Sequence, residues 1–101
     1  MRIAICDDVQ PILDFLEREI KSKFAEKGLE TKIYSYTNGR DFLRDHQKNP
    51  FDIVFLDIVM PDMNGFDVAK QIRAINSKTY IIFITTEVGL VIDSLDFQPF
   101  H

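Results

Sequence analysis

Short runs of β-branched and aromatic residues alternate along the chain with stretches whose apolar positions recur every three or four residues. Ile3 to Cys6 is a brief, fully apolar strand. Ile12, Leu13, Leu16, Ile20 and Phe24 follow at helical spacing, with Pro11 in the first turn and Gly28 as the stop. Lys32 to Tyr36 alternates as a second strand and leads into a short helix with Asn38 as its cap and Phe42 and Leu43 facing inward. Ile53-Val54-Phe55-Leu56 is continuous apolar, as a central strand covered on both faces requires, and Phe66, Ala69, Ile72 and Ile75 make the next helical stripe. Tyr80 to Ile84 is a fourth strand. Parallel neighbours need crossover helices, so this order predicts a doubly wound α/β fold with helices on both faces of a parallel sheet.

Beyond Thr86, Leu90, Val91, Ile92 and Leu95 outline a short helix, and Phe97-Gln98-Pro99-Phe100-His101 reads as the approach to another strand. A strand–helix repeat ending there leaves the fourth strand at a sheet edge with uncovered apolar residues, so self-association of the chain is expected. There is no internal repeat, low-complexity tract or linker, and residues 1–101 are expected to form one domain.

Composition narrows the function classes. With 101 residues, 46% hydrophobic and 28% charged, the chain suits one modest globular core and not a disordered acidic segment. The formal net charge is −4, with basic residues scattered among acids, which is no nucleic-acid footprint. Cys6 is the only cysteine and no leader precedes Arg2, so a reducing cytoplasmic compartment is expected. No apolar run approaches the roughly 20 residues of a membrane helix.

The candidate chemistry lies where parallel strands end, the edge at which open α/β sheets bind ligands. Asp7 and Asp8 close the first strand, Asp57 the third, and Thr85 with Thr86 the fourth. Three carboxylates brought close together repel one another and call for a cation. An all-oxygen set suits Mg²⁺, or Mn²⁺, rather than zinc. Mg²⁺ commonly bridges carboxylates to phosphate oxygens, and a carboxylate can itself attack phosphorus, so Asp57 is the candidate phosphoacceptor.

The segments Ile3-Ala4-Ile5-Cys6-Asp7-Asp8, Phe55-Leu56-Asp57-Ile58-Val59-Met60-Pro61-Asp62-Met63-Asn64-Gly65 and Ile82-Phe83-Ile84-Thr85-Thr86 closely resemble the receiver domain of two-component response regulators. The opening and the Asp96-to-His101 ending look most like receivers of LytTR-type transcription regulators. The resemblance implies a flavodoxin-like sheet of strand order 2-1-3-4-5. It also implies that Asp57 takes a phosphoryl group from a sensor histidine kinase, and that Asp8, Asp57 and the main-chain carbonyl of Val59 hold Mg²⁺. Asp7 would support the ion and Thr85 would contact the phosphoryl oxygens, while Pro61 and Gly65 shape the loop, Gly65 through its backbone freedom. The partners implied are that kinase, partly through the helix bearing Arg18, Lys21, Lys23 and Lys27, and a DNA-binding output domain in the parent protein.

The family also has a lysine at the end of strand five. This chain stops before it, and Lys78 lies at the wrong end of the sheet, so a receiver truncated before its last strand and helix is expected. By class this is a phosphoacceptor switch, not an enzyme. An aspartyl phosphohydrolase of the haloacid dehalogenase type is the enzymatic alternative, although its second acid would fall at Val59, and an interaction-only fragment is the third reading. Cys6 is expected to be a buried small hydrophobe, Met60 a packing residue, Glu87 a spectator, and His46 and His101 solvated rather than metal ligands.

Overall fold

The computed structural model describes residues 1–76 and 78–84. In it, β1 (Arg2–Cys6), α1 (Gln10–Glu26), β2 (Lys32–Tyr36), α2 (Gly39–Lys48), β3 (Ile53–Asp57), α3 (Gly65–Ile75) and β4 (Tyr80–Ile84) follow in chain order. The strands form a parallel sheet in the order β2-β1-β3-β4. The expected doubly wound architecture is present over these residues. The expected fifth strand and last helix, like the patterns beyond Thr86, lie outside them.

Alternation along the strands divides the core between two faces. Ile3, Ile5, Ile53, Phe55 and Ile84 pack with Leu13, Leu16, Ile20 and Phe24 of α1. Ala4, Cys6, Val54 and Leu56 pack on the other face with Phe42 and Leu43 of α2 and Val68 and Ile72 of α3. β1 and β3, at the centre, are nearly all buried, as their unbroken apolar sequence demands.

The punctuation residues act largely as expected. At Gly28 φ is +74°, the amide of Gly28 donates to the Ala25 carbonyl (2.9 Å) and that of Leu29 to Phe24 (3.0 Å), which is a left-handed helix stop satisfying the last carbonyls of α1. The Asn38 side chain accepts from the Asp41 amide at 2.8 Å and Asn64 from Asp67 at 2.9 Å, capping α2 and α3.

Three expectations are corrected. The inward stripe of α3 is Gly65, Val68 and Ile72, while Phe66 is 53% exposed and lies against the Phe83 ring, centroids 5.1 Å apart, and Ile75 is also exposed. The Asn64 cap and the seating of Gly65 on β3 set the phase, turning Phe66 outward. Gly65 is required for space, not for its backbone angle: its φ is not positive, but a Cβ there would stand 2.4 Å from the Asp57 carbonyl oxygen. His46 is fully buried rather than solvated. Its Nδ1 accepts from the Phe51 amide at 3.1 Å, its ring lies beside those of Phe42 and Phe51, and burial pushes its pKa down so that it stays neutral.

Gly65→Ala is expected to cost on the order of 1–3 kcal/mol, because the obstructing atoms are main chain of β3 and cannot step aside. Urea unfolding checks this; a midpoint equal to wild type would contradict the close approach.

Candidate functional site

The rim at the carboxyl ends of the strands is built by register. Cys6 stands opposite Leu56 in the β1–β3 pairing, so the next rung sets Asp7 beside Asp57. β1 continues its pairing one step further, with the Asp7 amide donating to the Tyr36 carbonyl at 3.0 Å. Asp8 follows at the turn into α1. Carboxylate oxygens of Asp7, Asp8 and Asp57 all lie within 4.8 Å of one another.

The three acids are not equivalent. Asp7 and Asp57 are fully buried, whereas Asp8 is exposed. Asp7 Oδ1 accepts from the Val9 amide at 2.9 Å and Asp57 Oδ1 from the Val59 amide at 3.4 Å. The second oxygen of each, Oδ2, is buried with no hydrogen-bond partner. An unpaired anionic oxygen in a dry site is costly, and a cation is the partner that removes the cost for both at once. The donor set, carboxylates alone, fits a hard divalent ion.

The electrostatics follow from burial. Desolvation, together with the charges of Asp57 and Asp8, raises the Asp7 pKa from 3.8 to about 6. Asp57 is raised as well, by desolvation first and then by Asp8, against the Val59 amide bond that lowers it. Cys6 is buried next to the acids, its Sγ 3.4 Å from the Asn38 carbonyl oxygen and 3.5 Å from Met60 Sδ. Burial and the surrounding carboxylates push its thiol up to about 12, so it packs as an inert small residue, as expected.

The structure thus brings together Asp7, Asp8 and Asp57. Val59 lies two residues beyond Asp57 in the loop to α3, its side chain 69% exposed. Thr85, with Thr86 and Glu87, falls outside the described residues. Sequence reasoning gave no separate role to Asp62, whose carboxylate accepts from the amides of Gly39 (3.2 Å) and Arg40 (3.1 Å) at the start of α2. No local pattern marks it, because its partners stand more than twenty residues earlier.

The family model of the response regulator receiver domain matches residues 3–96. The chain belongs to that family, whose general function is phosphorylation signalling in two-component systems. It is 31% identical over 96 residues to the chemotaxis protein CheY of Thermotoga maritima, covering 93% of this chain and 76% of that one. It is 29% identical over 87 residues to the transcriptional regulatory protein RprY of Bacteroides fragilis, covering 86% of this chain and 34% of RprY, so it spans about a third of that relative. The crystal structure of the response regulator TrrA from Thermotoga maritima in complex with Mg²⁺-BeF superposes with a TM-score of 0.74 at 29% identity, over 91% of this chain and 75% of that one. Among the described residues no helix is long and apolar enough to cross a membrane.

The raised Asp7 pKa fixes the sign of a pH effect. The unfolded carboxyl gives up its proton near 3.8 and the folded one near 6, so the ionised form weakens the fold as pH rises through that window and does so fully above it. At pH 7 without divalent ions the penalty is about 3 kcal/mol at most. Asp7→Asn is therefore expected to melt higher than wild type at pH 7 in EDTA, with the gap closing as pH falls toward 4. A variant that melts lower at pH 7 would contradict this electrostatic account.

Proposed function

We propose that this chain is a phosphorylation-controlled switch in which Asp57 accepts a phosphoryl group from a sensor histidine kinase. The observation that supports it most is the convergence of Asp7, Asp8 and Asp57 with two buried carboxylate oxygens left unpaired. In this reading Asp8, Asp57 and the Val59 main-chain carbonyl hold Mg²⁺, with Mn²⁺ able to replace it, and Asp7 supports the ion. When bound, the cation neutralises charge on the carboxylates and on the incoming phosphoryl oxygens.

An Asp57 carboxylate oxygen forms the new bond to phosphorus while the bond from phosphorus to the donor's imidazole nitrogen breaks and its electron pair leaves with the imidazole. The product is an acyl phosphate. Thr85 belongs to the same reading as the hydroxyl that donates to a phosphoryl oxygen. The aspartyl phosphohydrolase alternative has no comparable support, since the position two residues past Asp57 carries Val59 and no second acid.

Transcription control enters through the parent protein. Relatives such as RprY are named as transcriptional regulators, and the chain spans only a third of that protein. An output domain of LytTR type, binding DNA outside these residues, completes the reading. A cytoplasmic location is part of it as well.

Incubation with acetyl phosphate and Mg²⁺ is expected to add one phosphoryl group to the intact mass, EDTA to prevent it, and Asp57→Asn to abolish it. A full-length parent protein that gains no such mass would overturn the proposal.

A further inference from the structure

The loop from β3 to α3 is fastened to the rest of the molecule at several separate points. Met60 is buried with its sulfur against Cys6 at the end of β1. The Asp62 carboxylate spans the first two amides of α2, one oxygen on Gly39 and the other on Arg40. The Met63 side chain lies so close to Gly39 that a Cβ there would meet it at 3.0 Å. The Gly65 amide closes the loop by donating to the Ile58 carbonyl at 2.7 Å. Of these fastenings, Asp62 alone is ionic.

A carboxylate at a helix start is held by two effects. It satisfies amides that have no partner within the helix, and its negative charge faces the positive end of the helix dipole. Against the slight burial that would raise it, the amides of Gly39 and Arg40, with those of Asp62 and Met63, hold the Asp62 pKa below its usual value. Asn38 already serves the next amide, Asp41, so the amides of Gly39, Arg40 and Asp41 are met by two side chains, one local and one from the loop. Removing the distant one takes away the loop's hold on the first amides of α2 without removing the local helix cap.

We propose that Asp62 is a positioning residue: by gripping the first turn of α2 it holds the Asp57–Gly65 loop, and hence Val59, in the geometry that receives the divalent cation. This rests on the cation reading given above. Linkage follows, since a loop clamped to α2 passes any displacement of that helix to the cation site, and cation binding acts back on α2 to the same extent.

The experiment is Mg²⁺ titration of the metal-free protein followed by ¹H–¹⁵N NMR, with Asp62→Ala, Asp62→Asn and wild type compared. In wild type, Mg²⁺ is expected to move the Gly39 and Arg40 amide resonances along with those of residues 57–59. Asp62→Ala should bind Mg²⁺ roughly tenfold more weakly, the scale on which residues supporting a metal ligand act. It should also lose hydrogen-exchange protection at Gly39 and Arg40 while keeping it in β1 and β3. Asp62→Asn, which keeps an acceptor oxygen but no charge, should fall between the two. Equal affinity in all three proteins would overturn the positioning role. Equal weakening in both variants that vanishes in high salt would overturn it too, since that is the mark of a distant charge alone. Wild type that fails to bind Mg²⁺ at all would refute the cation reading itself, a different outcome from either.

Discussion

Two buried carboxylates on neighbouring parallel strands, each with one oxygen unpaired, are the constraint on which the site depends. The pairing of Cys6 with Leu56 forces Asp7 and Asp57 onto the same rung, where both side chains are fully buried. Neither acid can shed its cost by turning to water. The arrangement carries an electrostatic cost of the kind that a divalent cation would relieve, and only with that charge in place would the rim attract an anion.

The rest of the described fold holds this rim in place. One layer, α1 on Ile3, Ile5, Ile53 and Phe55, fixes the central strands from one side, and α2 with α3 fixes them from the other. Gly65 lets the start of α3 come down onto the end of β3, so that the loop carrying Val59 is short and closed. At the opposite end of the sheet, Arg2 lies over the rings of Tyr34 and Phe51, and Phe51 in turn anchors His46. That end is closed by aromatic packing and carries none of the clustered carboxylates.

What was legible in the sequence was whatever local pattern determines. The strand runs, the Asn38 cap, the Gly28 stop and the acids at the strand ends are set by neighbours within a few residues, and they stand where the spacing put them. Phe66 fits an inward stripe by hydrophobicity alone, whereas the phase of α3 from Gly65 through Val68 and Ile72 turns it outward. The burial of His46 is readable, since it stands four residues after Phe42 on the inward stripe of α2, whereas the lack of partner histidines or cysteines at ligand spacing speaks only against a metal role and not for solvent. The need for Gly65 is spatial rather than conformational, and a close approach of a helix start to the end of β3 has no local signature. Asp62 could not be found at all, its partners being remote in sequence.

The most direct measurement is the titration of the aspartate side-chain carboxyls by ¹³C NMR, with and without Mg²⁺. Metal-free protein should show Asp7 titrating near pH 6 and Asp57 above its ordinary range, and Mg²⁺ should carry both downward. Asp7 and Asp57 titrating together near 3.8, unmoved by the ion, would contradict the account.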